Sequence, residues 1–246
     1  MRQLLPVPID EVDPDVTYAA DARPTPAGRP WVLTNMVATV DGAASVDGLS
    51  GGIGGDADRA AFHALRAVPD VILVGAGTVR AENYGPPRTT EARQAQRVAR
   101  GQEPYPRIAV VTGKLELDLT SSLFTASPNR PIVVTTTESP AERRAEVATV
   151  ADLVVVGDRH VDLAAALVAL AETGVRTVLC EGGPVLDGQL VAAGLIDEVC
   201  LTIAPLLASG DASRIMHGPT PDRPEGLCLD RVLEQDGTLL LRYVRA

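Results

Sequence analysis

Two apolar, β-branched runs that each end in glycine constrain the fold of this chain more than any other feature. Val71–Val74 leads directly into Gly75-Ala76-Gly77, and Val175–Cys180 leads into Glu181-Gly182-Gly183. Unbroken β-branched runs are typical of parallel strands buried on both faces, and ligands of open α/β sheets bind where such strands end. Glycine lets backbone amides approach phosphate oxygens, and the N-terminus of a following helix favours the same anion. The pair therefore predicts a site that binds one nucleotide.

The remaining pattern predicts an α/β fold with a largely parallel central sheet flanked by helices. Further strands are predicted at 31–40, 108–112, 131–135, 153–157, 198–205, 226–233 and 238–244. Asp56 is predicted to be the N-cap of one helix, residues 162–172 are predicted to form another, and helical segments between strands indicate βαβ units. The last three strands have no helix between them, and the turn at Gln235-Asp236-Gly237 predicts that they are antiparallel. Residues 84–106 are polar and are predicted to be a solvated loop.

The length and composition favour one large α/β domain. The chain has 246 residues, of which 46% are apolar, so it can bury a substantial core. Residues 1–29 are rich in Pro, Asp and Ala and are predicted to be an N-terminal extension on the surface, followed by a single domain over 30–246. Because no run is long enough to span a bilayer and Met1–Pro6 does not resemble a signal peptide, we expect a cytoplasmic protein.

The charge and the cysteine content exclude other classes of protein. A net charge of −10 argues against a nucleic-acid-binding surface, which needs clustered Lys and Arg. Cys180, Cys200 and Cys228 are predicted to be buried, reduced thiols, and the three histidines show no metal-ligand spacing. We therefore expect no bound metal, no nucleic acid and no membrane partner.

Each motif also has a less specific interpretation. Gly75-Ala76-Gly77 lacks the third glycine of a Rossmann fingerprint, because Arg80 stands in its place, so a phosphate-binding turn of another fold is favoured. The stretch 48–52 matches G-x-S-x-G, but no buried strand precedes the serine, so the match is treated as coincidence. Arg66 is either an anion-binding residue or a surface arginine that favours a helix C-terminus. Glu181-Gly182-Gly183 either receives a flat ligand or forms a plain turn.

Four ordered segments resemble the reductase domain of riboflavin biosynthesis. They are Asn35–Gly42, His63–Ala67, Asp70–Asn83 and Glu181–Pro184. The resemblance covers about residues 30–244 and is to the C-terminal domain of the bifunctional deaminase-reductase and to stand-alone pyrimidine reductases. It implies a dihydrofolate reductase-like fold, NADPH as cofactor, a homodimer, and reduction of a ribosylaminopyrimidine phosphate to its ribityl form. No His-x-Glu or Pro-Cys-x-x-Cys zinc motif occurs in the chain, so we expect no deaminase domain.

The resemblance also implies roles for individual residues. Those expected to bind the cofactor are Val37, Gly52, Gly75, Gly77, Thr78, Glu82, Thr112, Gly113, Lys114, Gly182, Gly183, Pro184 and Val185. Those expected to bind the substrate are Asn35, Ser50, Arg66, Arg88 and Glu181. In this assignment Thr112, Gly113 and Lys114 receive the 2′-phosphate, and Arg66 binds the substrate phosphate. Hydride passes from NADPH to the ribose C1′ after the ribosylamine ring opens to an imine. Asp41 is the candidate acid, although an aspartate before Gly42 is also typical of a turn.

Departures from the family pattern keep other functions open. Asn35 stands where the family commonly has Lys, Thr39 replaces Ser, and Glu82-Asn83-Tyr84 leads into an altered loop that ends at Arg88. One alternative is reduction of another pterin or pyrimidine, such as dihydrofolate. The other is an NADPH-binding protein without turnover. The apolar content around Cys200–Leu207 favours a dimer formed through the C-terminal strands.

Overall fold

A computed structural model describes residues 1–46, 51–221 and 223–246 of the chain. Its strands are β1 (Arg2–Leu5), β2 (Trp31–Thr39), β3 (Val71–Gly75), β4 (Arg107–Val111), β5 (Ile132–Thr135), β6 (Asp152–Val155), β7 (Thr177–Cys180), β8 (Glu198–Ala204), β9 (Leu227–Gln235) and β10 (Thr238–Arg245). Its helices are α1 (Pro14–Ala19), α2 (Asp56–Arg66), α3 (Ala76–Ala81), α4 (Glu91–Ala99), α5 (Ser122–Thr125), α6 (Ala141–Val150), α7 (Leu163–Glu172) and α8 (Pro184–Ala192).

The chain divides into two compact units. The first contains residues 1–23, 32–68 and 179–246, and the second contains residues 24–31 and 69–178. β7 begins in the second unit and ends in the first. The domain boundaries drawn from the sequence, with one domain over 30–246, stay a prediction.

The first unit holds the antiparallel strands. Its strand order is β1-β9-β10-β8-β2, in which β2 and β8 are parallel and the other neighbouring pairs are antiparallel. Asp236 and Gly237 join β9 to β10 with φ values of 53° and 79°, the left-handed conformation that a two-residue hairpin turn requires. The predicted antiparallel C-terminal strands are confirmed.

The second unit holds a purely parallel sheet in the order β3-β4-β5-β6. Val71, Ile72 and Val74 on β3 are completely buried, as expected for a strand covered on both faces. Taken over both units, the predicted α/β class with largely parallel strands is confirmed.

Helix α2 carries two kinds of side chain that matter for the site. Ala57, Ala61, Ala64 and Leu65 form its buried face. Asp58, Phe62 and Arg66 are half-buried and follow one another at a spacing of four residues, so they lie along one row at the edge of that face. Gly55 is the N-cap and Asp56 the first helical residue, which corrects the start predicted from the sequence by one position.

The N-terminal segment differs from the predicted surface extension. β1 pairs with β9, and Tyr18 on α1 is only 3% exposed. Burial raises the pKa of the Tyr18 phenol well above its ordinary value. Residues 1–23 are therefore part of the first unit, and Tyr18 contributes to its interior.

A group of buried charges joins this segment to the C-terminal strands. Glu198 on β8 accepts two hydrogen bonds from Arg23 (Nε–Oε2 and Nη2–Oε1, both 2.9 Å) and two from Arg242 (Nε–Oε1 2.9 Å, Nη2–Oε2 3.2 Å). Asp21 likewise accepts two hydrogen bonds from Arg231, and its Oδ2 lies 3.2 Å from Arg23 Nη2. Burial opposes ionisation of Glu198, but the two arginines outweigh it and lower its pKa to about 2. These five residues are called the buried ion network.

The predicted solvated loop over 84–106 contains helix α4, so that prediction is wrong for its centre. Thr90 caps the helix by accepting a hydrogen bond from the Arg93 backbone N–H (3.3 Å). Arg97 on the same helix is fully buried and donates to the carbonyls of Pro69 (2.6 Å) and Glu103 (2.9 Å). Burial lowers the pKa of Arg97 to about 10. Helix α4 is held in this polar stretch because Arg97 donates hydrogen bonds to the backbone carbonyls of Pro69 and Glu103.

Cys180 and Cys200 are buried, as predicted. Cys228 is exposed, so the prediction of a buried thiol is wrong at that position.

None of the helices in the described ranges is both long and apolar enough to cross a membrane. Within the same ranges, no cluster of His, Cys, Asp and Glu has an arrangement that could hold a metal ion.

Candidate active site

The segment that follows β7 brings the Gly182-Gly183 pair to the start of helix α8. Gly182 adopts φ = +76°, a conformation that favours glycine, and a Cβ at this position would lie 3.0 Å from Oδ2 of Asp187 and 3.8 Å from Sδ of Met36. Gly183 is the N-cap of α8 and supplies no side-chain cap, and Pro184 is the first helical residue. Pro184 has no N–H, and the N–H groups of Leu186 and Asp187 donate to the Gly183 carbonyl (2.9 and 3.2 Å), so in the first turn of α8 the Val185 N–H is the one left for an anion.

Arg66 and Glu181, predicted separately from the sequence, are brought together in the first unit. Arg66 Nε lies 2.7 Å from Glu181 Oε1, and Arg66 Nη2 lies 2.6 Å from Glu181 Oε2, so the ion pair is bidentate. The Arg66 guanidinium carbon also lies 4.2 Å from the centre of the Phe62 ring. The side chains are 16% and 6% exposed, so Arg66 is not the plain surface arginine that the sequence left open. The pair fixes the residue that precedes Gly182 to the end of α2.

Asp187 is a buried carboxyl group directly beneath the glycine pair. Its Oδ1 accepts a hydrogen bond from Thr34 Oγ1 at 3.0 Å, whereas Oδ2 has no hydrogen-bonding partner among the residues that the structure describes. Burial raises its pKa to about 7, although the side chains of Cys180 and Thr34 oppose the shift. Burial raises the pKa of the Cys180 thiol as well. No motif in the sequence points to Asp187. Its one sequence signal is an acidic residue within the otherwise apolar start of α8.

Asp41, the candidate acid, lies exposed in the turn after β2. Its carboxylate accepts hydrogen bonds from the Thr39 hydroxyl and from the backbone N–H groups of Ala208 (3.1 Å to Oδ2) and Ser209 (2.6 Å). The Thr39 hydrogen bond, followed by those from Ser209 and Ala208, lowers its pKa to about 2. These contacts favour the turn-forming role that the sequence left open, and the acid role stays a prediction.

Replacing Asp41 by asparagine tests that choice. A group with a pKa of about 2 holds no proton at neutral pH, so we expect Asp41→Asn to keep kcat within about threefold of wild type, without loss of the acidic limb of the pH–rate profile. The measurement is kcat from pH 5 to 9. A fall of about 100-fold together with loss of that limb would instead assign the proton transfer to Asp41.

The second unit carries the other predicted cofactor residues at the ends of β3 and β4. Gly75 is the N-cap of α3 without a side-chain hydrogen bond, Gly77 and Thr78 lie in its first turns, and Glu82 is the C-cap. A Cβ at Gly77 would meet nothing within 4 Å, so packing within the chain does not require glycine there. Space of this kind lets a ligand approach the backbone.

The end of β4 presents a basic side chain beside a second open glycine. Thr112 is buried and its Oγ1 accepts a hydrogen bond from the Leu115 backbone N–H at 3.0 Å, so its hydroxyl shapes the turn. Gly113 and Lys114 are exposed, and a Cβ at Gly113 would also meet nothing within 4 Å. Lys114 is therefore the residue of this trio whose charge is available to an anion.

The remaining predicted residues lie on β2, at exposed positions, or outside the described residues. Asn35 and Val37 are half-buried on β2, opposite Cys200 and Thr202 of β8. Gly52, Val185 and Arg88 are exposed. Ser50 and most of the 48–52 motif lie outside the described residues.

Comparisons with known proteins give the family. The model of the RibD C-terminal domain matches residues 30–234. The chain is 33% identical over 195 residues to the 2,5-diamino-6-ribosylamino-4(3H)-pyrimidinone 5′-phosphate reductase of Archaeoglobus fulgidus, covering 77% of this chain and 87% of the relative. It is 35% identical over 193 residues to the protein of the same name from Methanothermobacter thermautotrophicus, with coverages of 77% and 85%. The crystal structure of a pyrimidine reductase-like protein from Corynebacterium diphtheriae matches with a TM-score of 0.83 and 26% identity, over 96% of this chain and 99% of that one.

Parallel strands that end in glycine turns and helix N-termini are typical of nucleotide-binding α/β proteins. The chain belongs to the RibD C-terminal domain family. Its fold is the dihydrofolate reductase-like α/β fold, and it is an oxidoreductase of a family whose reductases use NADPH.

Proposed function

We propose that this chain reduces a ribosylaminopyrimidine 5′-phosphate to its ribityl form with NADPH, as a step of riboflavin biosynthesis. The observation that carries the proposal is the likeness to two named pyrimidinone phosphate reductases over 77% of the chain. The Arg66–Glu181 pair supports it, because a guanidinium held by a carboxylate beside the glycine segment suits contact with a phosphate.

The residues present fit NADPH. Gly77 and Gly113 have open space where a side chain would be, and Lys114 offers a positive charge at the expected 2′-phosphate position. In the first unit, the N-terminus of α8 has no side-chain cap and leaves the Val185 N–H for a pyrophosphate oxygen. When bound, the nicotinamide supplies a hydride. The chain's own contribution is to orient the reactants, which provides most of the acceleration in a reaction of this kind.

Arg66 is proposed to contact the substrate phosphate while Glu181 holds its guanidinium in place. A guanidinium that is already held by a carboxylate loses little further side-chain entropy when it also donates hydrogen bonds to a phosphate. Glu181 in turn is proposed to contact the ribosyl part of the substrate.

The test compares Arg66→Ala with wild type by the loss of NADPH absorbance. We expect kcat/KM for the phosphorylated pyrimidine to fall by about 100-fold, because a charge-assisted phosphate contact is lost, and kcat/KM for the unphosphorylated nucleoside to fall much less. Arg59→Ala is the matched control, since Arg59 lies on the same helix, is exposed and pairs with Asp56. Equal losses for both substrates would mean that Arg66 acts only by positioning Glu181.

The same assay decides between the proposal and its alternatives. Oxidation of NADPH with dihydrofolate alone would assign a different substrate on the same fold. Tight NADPH binding without oxidation by either substrate would indicate a binding protein without turnover.

We also propose a cytoplasmic homodimer, on the grounds of the biosynthetic family and of the apolar residues near the end of β8. Leu206 and Leu207 are 45% and 82% exposed, which supports their use in contacts between chains. Sedimentation of a mass equal to one chain would contradict the dimer.

A further inference from the structure

The antiparallel strands of the first unit carry apolar side chains on both faces of their sheet. Along β10, Leu240 and Val244 lie on one face, and Leu239, Leu241 and Tyr243 lie on the other. An antiparallel sheet with one face in water alternates apolar and polar residues instead. The sequence of β10 therefore indicates that both faces of this sheet are covered in the functional protein.

One face is covered by a helix of the same chain. Helix α2 packs against β10, and Asp58 on this helix accepts a hydrogen bond from the side chain of Thr202 on β8. Thr202 is paired with Leu240 of β10, which is only 2% exposed. Because paired residues of neighbouring strands lie on the same side of a sheet, α2 covers the face that carries Leu240.

The opposite face, called the outer sheet face, is covered at one edge. There Asp187 of α8 accepts the hydrogen bond from Thr34 on β2, and Val199, paired with Thr34, is 8% exposed. Among the helices described for the first unit, α2 alone packs extensively against β10. Away from α8, six apolar side chains of the outer sheet face are half-buried, namely Leu201, Ile203, Val232, Leu239, Leu241 and Tyr243.

The outer sheet face is large enough for a stable interface. It spans the four strands β1, β9, β10 and β8, which are spaced about 4.8 Å apart, over about seven residues of about 3.4 Å each. These dimensions give about 450 Å² in projection. The accessible area of protruding side chains exceeds their projection, so the face reaches the roughly 500 Å² per partner that a specific interface requires.

The composition of the outer sheet face identifies a second copy of the chain as its occupant. Of this sequence, residues 47–50 and 222 lie outside the described ranges, and so few residues cannot cover the face. The charged side chains at its margins are already paired within the chain, Arg2 with Glu234 and Arg245 with Glu225. The face therefore offers no charge to an oppositely charged partner. An uncharged apolar face is complementary to itself, as a twofold dimer requires.

We infer that two copies of this chain pack through their outer sheet faces, with the row Leu201, Leu241 and Val232 at the centre of the contact. Sheets that pack in this way lie about 10 Å apart, and the apolar side chains of both form one core. The row continues to Met36 on β2, whose Sδ would lie 3.8 Å from a Cβ at Gly182, so the interface borders the glycine pair. The inference rests on the proposed homodimer and adds the surface through which it forms.

The experiment measures the dimer Kd of wild type, Leu241→Glu and Leu229→Glu by sedimentation equilibrium. We expect the Kd of Leu241→Glu to rise by at least about 1,000-fold, because each copy then buries an unpaired carboxylate at the centre of the contact. Leu229 is paired with Tyr243 at the edge of the same face and is 41% exposed. Leu229→Glu is therefore tolerated by the single chain, and its Kd is expected to rise by at least about tenfold.

Val168→Glu is the matched control, because Val168 lies on α7 and is 44% exposed, about as much as Leu229. Its Kd is expected to stay within threefold of wild type. Circular dichroism melts establish that the variants fold. Dimers of both Leu241→Glu and Leu229→Glu with the wild-type Kd would overturn the assignment of the outer sheet face and leave the homodimer standing. Failure of the homodimer is a separate result, namely a wild type that sediments with the mass of one chain.

Discussion

Replacing Glu198 by alanine is expected to lower the free energy of unfolding by about 3–5 kcal/mol, the usual cost of removing one partner from a buried ion pair. Glu198 is completely buried and accepts hydrogen bonds from both Arg23 and Arg242. Without it, two buried guanidinium groups lose their shared carboxylate, and Asp21 is left facing three arginines. The arginines cannot lose their charge to escape the penalty. Urea unfolding followed by circular dichroism measures the change, which corresponds to a fall in Tm of about 10 °C for a chain of this length.

Two controls separate this effect from a general sensitivity to charge removal. Glu198→Gln keeps the shape and one acceptor and is expected to lose less than the alanine variant. Arg159→Ala removes one member of an exposed pair with Glu138, 3.7 Å apart, and is expected to change stability by less than about 1 kcal/mol. A loss at Glu198 no larger than that at Arg159 would contradict the role assigned to the buried ion network.

Replacing Asp187 by asparagine is expected to stabilise the protein at neutral pH and to flatten the dependence of its stability on pH. Burial raises the pKa of Asp187 from 3.8 to about 7, so the folded protein binds a proton that the unfolded chain has released between these values. Stability from this group is therefore complete below pH 3.8 and is lost as pH rises to 7, by about 4 kcal/mol in all at 1.36 kcal/mol per pH unit. Between pH 5 and pH 8 the loss is about 2–3 kcal/mol.

The measurement is the difference in unfolding free energy between wild type and Asp187→Asn from pH 5 to 8. Asparagine keeps an oxygen for the Thr34 hydroxyl and carries no charge at any pH, so the difference should grow in favour of the variant as pH rises. Glu172→Gln, at the exposed end of α7, should show no such trend. A difference that stays constant with pH would mean that the Asp187 carboxyl is already ionised in the folded protein at pH 5.

The parallel core was predictable because its signal is local. Val71–Val74 and Ile132–Thr135 are continuous apolar runs, and a strand that is buried on both faces needs nothing else to be recognised. The hairpin at Asp236-Gly237 was equally visible, since two successive residues with positive φ restrict the choice of amino acids. The elements that were missed depend on distant partners. α1 and β1 are held by β9 and by the buried ion network, and α4 is held by the contact of Arg97 with Pro69.

The candidate site shows the same division. The glycine segments and the importance of Arg66 were visible from motifs, but its ion pair with Glu181 spans 115 positions and has no local signature. Asp187 gave only the anomaly of an acid in an apolar stretch, which signals a buried polar group without indicating its partner.

The buried ion network also decides where this polypeptide can be shortened. The match to the family model begins at residue 30 and ends at residue 234, which would be a natural choice for cutting out a minimal reductase. A chain cut at those points would lose Asp21 and Arg23 from one end and all of β10, including Arg242, from the other. Glu198 would then lose its hydrogen bonds from Arg23 and Arg242, and Arg231 would lose those to Asp21. A piece of this protein that keeps the buried ion network therefore extends beyond residues 30–234 at both ends.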